Sequence, residues 1–244
     1  MSIIWSTAPQ GTDEWLAARR GVITASRFKD ARDRLKNGDF SAKAKLYAQD
    51  VARERCGGQA GQTFQNAAMR FGTEQEPVAR MACEDDKGYL IELAGFAYTE
   101  DRKFGVSVDG LIDHEGVWEC KTMVSSDTLF KAVVDGDIGD YRDQINGAMW
   151  LLGRKWVDLC LWAPDLPAHK LTLIRVPRDD DAIEALETDL MAFERLVCQY
   201  EAKLRKLLGT GDEPAPATEP PPWQPAEATQ SAAPAVRELA TPDF

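Results

Sequence analysis

The amino-acid sequence predicts an α/β domain in which helices flank a central mixed β-sheet. Three observations support this fold class: helical apolar spacing before residue 89, short strand-like segments between residues 89 and 122, and a strand pair followed by a long amphipathic helix between residues 155 and 204. The apolar period changes from that of helices to that of strands and back, which favours a layered α/β domain.

Four helices are expected in the N-terminal part, where capping residues and glycines bound segments with helical apolar spacing. They span about residues 13–20, 24–35, 41–57 and 65–87. Ser41 is a typical N-cap for the third helix, and Gly21 and Gly88 directly follow the first and the fourth.

Strands and further helices are expected in the rest of the domain. The strands span residues 89–98, 105–112, 116–122, 155–162 and 169–176. Polar breaks and one proline-containing turn separate them. Helical spacing covers about residues 125–135, 139–152 and 183–204. This order of elements favours a layered domain with a mixed sheet.

The composition changes after residue 208. From Glu213 onward prolines and alanines dominate without periodicity, which is typical of disordered segments. We therefore divide the chain into one domain, residues 1–208, and a disordered acidic tail, residues 209–244. The last four residues, 241–244, combine an acid with a terminal aromatic ring and are a weaker candidate for docking on a single-strand DNA-binding or annealing protein.

The composition also argues against several classes of protein. No apolar run reaches the roughly 18 residues of a membrane-spanning helix, and the N-terminus lacks the pattern of a secretory signal. The five cysteines are widely spaced and include no CxxC pair, which disfavours a disulfide framework and a cysteine-ligated zinc or iron–sulfur site. We therefore expect a cytoplasmic protein with reduced thiols and no membrane partner.

The net charge of −11 is only a weak objection to a nucleic-acid partner. The tail holds six acids and one base, and further acids lie in the middle of the chain. Clustered carboxylates there would attract divalent metal ions. A nuclease that contacts phosphate through such ions can be acidic overall.

The most informative segment contains an acid at position 109, a second acid at 119 and a lysine at 121. If two strands form a hairpin centred on His114, Asp109 faces Glu119 and Ser107 faces Lys121. Directly opposed residues have Cβ atoms about 4.5–5.5 Å apart, so the two carboxylates can share one cation.

The neighbouring positions of the second strand extend this interpretation. Glu119 and Lys121 alternate onto the same face of the strand, which places an ammonium group beside the cation. The Cys120 side chain points the other way, but its carbonyl can face the cation.

From spacing alone, an ordinary hairpin with solvated acids is an equally good interpretation, because a D…ExK pattern is short and common by chance. Val106, Val108, Val117 and Trp118 nevertheless indicate buried strands, in which unpaired acids are costly. This favours a metal site. Mg²⁺ suits it, because this ion takes oxygen ligands and retains several waters.

Beyond this hairpin, the chain resembles a known family of nucleases. Asp109 and the run 119–121 resemble the PD-(D/E)xK motif of restriction-endonuclease-like nucleases, with Val108 in place of the proline of the motif. Further matching segments occur, in the same order as in the family, at residues 19–26, 72–80, 107–111 and 141–150. Over about residues 14–205 the chain therefore resembles the phage lambda exonuclease and YqaJ-type viral recombinase family, which implies a restriction-endonuclease-like core.

The resemblance also implies roles for individual residues. Two Mg²⁺ ions, for which Mn²⁺ can substitute, would be held by three carboxylates and one main-chain carbonyl, those of Glu76, Asp109, Glu119 and Cys120. The catalytic residues would be Asp109, Glu119, Lys121 and Gln144, with Lys121 assisting the attacking water. A pocket for the 5′-terminal phosphate would comprise Arg19, Ser26 and Ser107, since guanidinium and hydroxyl groups are natural phosphate donors.

The implied function is that of a 5′→3′ exonuclease that degrades one strand of linear double-stranded DNA to 5′-mononucleotides. The resemblance further implies a homotrimer ring that threads the DNA, and a role in phage or prophage recombination that leaves 3′ overhangs for a single-strand annealing protein. Two alternatives stay open: an endonuclease or RecB-like nuclease of the same fold, and a catalytically silent scaffold that binds DNA ends.

Overall fold

A computed structural model describes residues 2–59 and 67–209. The predicted disordered tail lies outside the described residues from residue 210 onward, and so do the candidate docking residues 241–244. In the described part of the chain, no helix has both the length and the apolarity that crossing a membrane requires.

Helices and short strands alternate along the domain. The helices are α1 Asp13–Arg19, α2 Phe28–Ala31, α3 Ala42–Arg55, α4 Ala67–Lys87, α5 Ser126–Leu129, α6 Arg142–Leu152 and α7 Asp180–Leu208. The strands are β1 Ile3–Trp5, β2 Ile23–Thr24, β3 Phe96–Thr99, β4 Phe104–Ser107, β5 Gly110–Ile112, β6 Gly116–Thr122, β7 Trp156–Trp162 and β8 Leu171–Pro177. The α/β class predicted from the sequence is therefore confirmed.

The strands form two mixed four-stranded sheets. The first has the order β1-β3-β4-β2 and the second the order β5-β6-β7-β8. In each sheet one pair is parallel, β2 with β4 and β6 with β7, and the other pairs are antiparallel. The single strand predicted over residues 105–112 divides at Val108 and Asp109, so that β4 belongs to the first sheet and β5 to the second.

The β5–β6 hairpin has the register expected from the sequence. Gly110 pairs with Trp118, and Ile112 pairs with Gly116. The predicted pairing of Ser107 with Lys121 is wrong, because Ser107 pairs with Phe96 in the first sheet. The chain changes sheets between these two sets of pairs, so one register does not extend across the whole segment.

Two other elements also differ from the prediction. The helix expected over residues 24–35 is a 3₁₀ turn, Ala25–Arg27, followed by the single-turn α2. It stops early because the chain folds back around Gly38, whose φ is +88°, and Arg34 bridges to Phe40. Of the strand expected over 89–98, only the end belongs to β3, and Glu92 adds one isolated bridge to Leu111.

The second sheet is packed on both faces. On one face α4 covers Trp118 and Cys160 through its buried residues Ala79 and Cys83. On the other face, alternate residues of β6 and β7 join the main core beneath α6 and α7. The long helix α7 buries the predicted apolar stripe, which includes the residues Ile183, Leu186, Leu190, Phe193 and Val197. This packing fixes the hairpin between two layers of helices.

Helix α6 approaches the segment around α2 at Gly147. A Cβ added there would lie 2.5 Å from Phe28 Cε2 and 3.3 Å from the Ala25 Cβ. We expect Gly147→Ala to lower the free energy of unfolding by about 1–3 kcal/mol, because overpacking outweighs the gain in helix propensity. Gly72→Ala in α4, where the nearest atom is 4.0 Å away, is the control and should be neutral or stabilising. Urea denaturation of both variants tests this, and equal midpoints would contradict it.

Candidate active site

Two carboxylates oppose each other at the open end of the β5–β6 hairpin. Asp109 directly precedes β5, and the observed register, continued by one pair, places it opposite Glu119 of β6. The Cys120 N–H donates a 2.8 Å hydrogen bond to Asp109 Oδ2. Burial and the neighbouring Glu119 carboxylate raise the pKa of Asp109 well above its usual value. The predicted pair of facing acids is therefore present.

Lys121 lies two residues beyond Glu119 on the same face of β6. Its Nζ donates a 2.7 Å hydrogen bond to Glu119 Oε1. Burial alone would lower the pKa of Lys121, but the carboxylates of Glu119 and Asp109 outweigh it and raise the pKa. Lys121 is thus an ammonium ion at neutral pH in the metal-free protein, suited to orienting a water or a phosphate oxygen.

Gln144 of α6 binds the same Glu119 oxygen as Lys121. It lies in the first turn of α6, and its Nε2 donates a 2.6 Å hydrogen bond to Glu119 Oε1. Glu119 is only 3% exposed, so two donors compensate the burial of this carboxylate. The helix and the strand are therefore connected through a buried acid that is central to the site.

Glu76 approaches the cluster from α4. Burial, followed by the negative charge of Glu119, raises the pKa of Glu76, and the Lys121 charge opposes this rise. The Arg80 charge also opposes the rise, while the Arg80 guanidinium forms an ion pair with Glu84 at 3.6 Å. Glu76 lies within the electrostatic field of the hairpin acids.

The chemistry of these donors fits a divalent cation. Besides burial, the Glu119 charge raises the pKa of both Asp109 and Glu76, and the Glu76 charge adds to the rise at Asp109. Positive charge between these carboxylates is therefore favoured, and oxygen ligands suit Mg²⁺. In the described part of the chain no three His, Cys, Asp or Glu side chains are close enough to form a complete metal shell. Closing the shell would require the carboxylates of Asp109, Glu119 and Glu76 to approach one another.

Of the two predictions made for Cys120, the structure bears on the direction of the side chain. Its side chain points to the opposite face of the sheet, where its Sγ lies 3.9 Å from Cys160 Sγ. The role of its carbonyl as a metal ligand stays a prediction.

A second polar cluster lies at the end of β4. Arg19, in the last turn of α1, donates a 2.8 Å hydrogen bond from Nη1 to Ser107 Oγ. Its guanidinium stacks over Trp15, 4.3 Å from the ring centroid. Burial lowers the pKa of Arg19 to about 10, which leaves the guanidinium charged at neutral pH. Two of the three predicted phosphate-pocket residues are therefore in direct contact.

Ser26 lies nearby but is not joined to them. It is exposed in the 3₁₀ turn after β2, and the parallel pairing of Thr24 with Gly105 sets this turn beside the end of β4. Its Oγ lies 3.4 Å from Thr24 Oγ1. Among the described contacts, no hydrogen bond links Ser26 to Arg19 or Ser107, so a ligand would have to connect them.

Sequence reasoning assigned no role to two features beside these clusters. The Tyr141 ring centroid lies 6.0 Å from Lys121 Nζ; its position three residues before Gln144 indicates a shared helix face. Glu54 and Arg55 of α3 contact the turn after Arg19, and no local spacing connects segments so far apart in the chain.

One family model matches this chain, and the similar solved structures include exonucleases. Residues 14–155 match the YqaJ-like viral recombinase domain. Two structures of LHK-Exo, an alkaline exonuclease from Laribacter hongkongensis, are similar to this chain. One, in complex with dAMP, is 30% identical with a TM-score of 0.73, and 81% of this chain and 98% of that chain are covered. The other is 32% identical with a TM-score of 0.70, covering 81% and 99%.

A more distant structure supports the fold. A phage-related exonuclease from Haemophilus somnus 129PT is 16% identical with a TM-score of 0.58, covering 76% of this chain and 96% of that chain. No curated protein matches this chain significantly. The fold is thus of the restriction-endonuclease-like exonuclease type, and nucleases of this kind generally use divalent metal ions.

Proposed function

This chain belongs to the YqaJ-like viral recombinase domain family, and from that premise we propose that it is a Mg²⁺-dependent 5′→3′ exonuclease. Its substrate would be linear double-stranded DNA, of which it degrades one strand to 5′-mononucleotides. The observation that carries the proposal is the buried Glu119 carboxylate, which accepts hydrogen bonds from Lys121 and Gln144 and opposes Asp109. The similarity to an exonuclease solved with dAMP, a 5′-mononucleotide, supports the nature of the product.

Each residue of the cluster has a defined task in this proposal. Asp109, Glu119 and Glu76, with the Cys120 carbonyl, would hold two Mg²⁺ ions, for which Mn²⁺ can substitute. When bound, the metal ions neutralise phosphate charge and promote attack by water. Lys121 donates a hydrogen bond that orients the attacking water or a phosphate oxygen, and Gln144 fixes the position of Glu119.

The Arg19 cluster would set the direction of digestion. Arg19 and Ser107 present a cation and a hydroxyl group, and Ser26 lies on the adjacent turn. Such donors bind phosphate oxygens through charge-assisted hydrogen bonds. A terminal phosphate held there marks the 5′ end, so that hydrolysis begins at that end.

The biological role follows from the polarity of digestion. At each DNA end, degrading the strand that ends there in a 5′ terminus leaves a 3′ overhang. A single-strand annealing or single-strand DNA-binding protein would use these overhangs in phage-type recombination in the cytoplasm of a bacterial host. A homotrimer ring around the DNA would keep the enzyme on its substrate. Sedimentation that shows only monomers at working concentration would exclude the ring.

The direct test is digestion of linear duplex DNA that carries or lacks a 5′-phosphate, with Mg²⁺ or EDTA, beside a covalently closed circle. We expect rapid loss of the 5′-phosphorylated linear DNA with Mg²⁺ only. Cutting of the circle would indicate an endonuclease, and the absence of digestion would indicate a silent end-binding scaffold. Either result would overturn the proposal.

Arg19→Ala is expected to reduce the preference for a 5′-phosphate. A hydrogen bond to a charged group contributes about 1.5–3 kcal/mol, so kcat/KM for 5′-phosphorylated ends should fall by roughly 10- to 150-fold. For 5′-hydroxyl ends it should change little. Lys36→Ala, which removes an exposed cation in the turn region after α2, is the control. An equal loss on both kinds of end would contradict a role in phosphate recognition.

A further inference from the structure

Arg19, which contacts Ser107, is the first residue of a tight turn. The Val22 N–H donates to the Arg19 carbonyl at 3.1 Å. Between them Arg20 has φ −61° and ψ 129°, and Gly21 has φ +73°. These angles define a type II turn, whose third position favours glycine because φ is positive there. The turn sets the direction in which the chain leaves α1 at Arg19.

Two consecutive residues of α3 bind the two sides of this turn. The Gly21 N–H donates a 2.8 Å hydrogen bond to Glu54 Oε2. The Gly21 carbonyl accepts a 2.8 Å hydrogen bond from Arg55 Nε. Both polar groups of one turn residue are therefore occupied by side chains more than thirty residues away.

Helix α7 in turn fixes Arg55. Arg55 Nη1 and Nη2 donate to the two carboxylate oxygens of Glu194 at 2.8 and 2.9 Å. The Arg55 and Glu194 side chains are only 16% and 6% exposed, and Glu201 adds a longer ion pair at 3.7 Å. A bidentate pair of this kind restricts the guanidinium plane as well as its position. The turn is thus tied through α3 to α7.

Glu54 also acts on Arg19 through charge. Its carboxylate is among the groups that oppose the effect of burial on the Arg19 guanidinium. The same side chain therefore holds the turn at Gly21 and favours the charged form of the arginine two residues before it.

We propose that Glu54, Arg55 and Glu194 are positioning residues that fix the Arg19 turn for recognition of a 5′-terminal phosphate. This inference rests on the proposed function, because it assigns these residues to the specificity of the same pocket. They act through the turn and do not touch the substrate. Loosening them should affect binding of the phosphate end and leave the chemistry at Asp109 and Glu119 unchanged.

The test is Arg55→Lys, which keeps a positive charge beside Glu194 but cannot keep both the bidentate pair and the bond to Gly21. The readout is kcat/KM on linear duplexes with a 5′-phosphate and with a 5′-hydroxyl. We expect the ratio of the two values to fall about tenfold, the size of one lost hydrogen bond of this kind. Turnover of the 5′-hydroxyl duplex at saturation should stay within about twofold of wild type.

The matched control is Arg175→Lys. Arg175 forms an equally short bidentate pair with the buried Asp158, at 2.7 Å for both bonds, but lies on β8 and does not contact the turn. It should leave the ratio unchanged. A purely structural effect of losing a bidentate arginine would instead lower activity on both substrates in both variants.

A second pair of variants covers the case in which Arg55→Lys does not fold. Glu54→Gln keeps an oxygen acceptor for the Gly21 N–H and should retain most of the preference, whereas Glu54→Ala removes the acceptor and should reduce it.

The outcomes separate the two proposals. If wild type discriminates and the Arg55→Lys and Glu54→Ala variants discriminate equally well, the positioning role is overturned while the exonuclease proposal stands. If folded wild type digests linear DNA without regard to the 5′-phosphate, the phosphate pocket and the positioning role both fall. If wild type digests nothing, the proposed function itself has failed.

Discussion

Asp109→Asn is expected to abolish digestion of linear duplex DNA while making the metal-free protein more stable. Activity should fall by at least about a thousandfold, because a ligand for the metal ions that supply charge stabilisation is lost. Stability should rise because burial and Glu119 disfavour the ionised Asp109 carboxylate. Asparagine removes that charge and keeps an oxygen for the Cys120 N–H.

The sign of the pH dependence of stability follows from the raised pKa of Asp109. A carboxyl group whose pKa is raised on folding binds its proton more tightly in the folded protein than in the unfolded chain. The metal-free wild type should therefore lose stability as pH rises from the usual aspartate pKa towards the raised pKa of Asp109. The Asp109→Asn variant should lose less over that window.

Urea denaturation in EDTA at several pH values measures this difference, and we expect the variant to have the higher denaturation midpoint at neutral pH. Asp113→Asn, which neutralises an exposed acid in the turn of the same hairpin, should change neither activity nor stability appreciably. A destabilised Asp109→Asn protein would show that the carboxylate is better accommodated without metal than its surroundings indicate.

Removal of divalent metal is expected to stop digestion completely, and addition of Mg²⁺ should stabilise the folded protein. A ligand present at a hundred times its Kd contributes about 2.7 kcal/mol. For a domain of this size that corresponds to a rise in Tm of roughly 5–10 °C. The carboxylates of Glu76, Asp109 and Glu119 repel one another until a cation lies between them, so the rise should depend on all three.

Thermal denaturation with Mg²⁺ or EDTA tests the site independently of activity. Wild type and Asp113→Asn should show the rise in Tm, and Asp109→Asn and Glu119→Gln should show little of it. If Mg²⁺ raised the Tm of all four proteins equally, the ion would bind elsewhere on the chain and the assignment of these ligands would be wrong.

Local patterns in the sequence predicted the elements closest to the chemistry. The hairpin register follows from two short strands and the turn at His114, so the opposition of Asp109 and Glu119 could be derived without a structure. The cap at Ser41 and the buried stripe of α7 are likewise confirmed, since each depends on residues only a few positions apart.

Features that depend on distant contacts were not predictable in this way. The break at Val108 and Asp109 arises because β4 pairs with Phe96 and its neighbours, whereas β5 pairs with β6. Apolar alternation is continuous across that break, so it predicted one strand. Residue spacing gives no indication that Arg19 meets Ser107, 88 positions away; the family resemblance alone brought these residues together. No feature of the sequence indicated that Glu54 and Arg55 contact the turn after Arg19.

The change of sheet at Val108 sets a fixed distance along the backbone between the two polar clusters. Ser107 ends β4 in one sheet, and Asp109 precedes β5 in the other. Two residues of extended backbone span at most about 7 Å. If the 5′-phosphate binds at Ser107 and hydrolysis occurs beside Asp109, this covalent length fixes how far from its end the strand is cut. The size of the released product would then be determined by the polypeptide, whatever the sequence of the DNA.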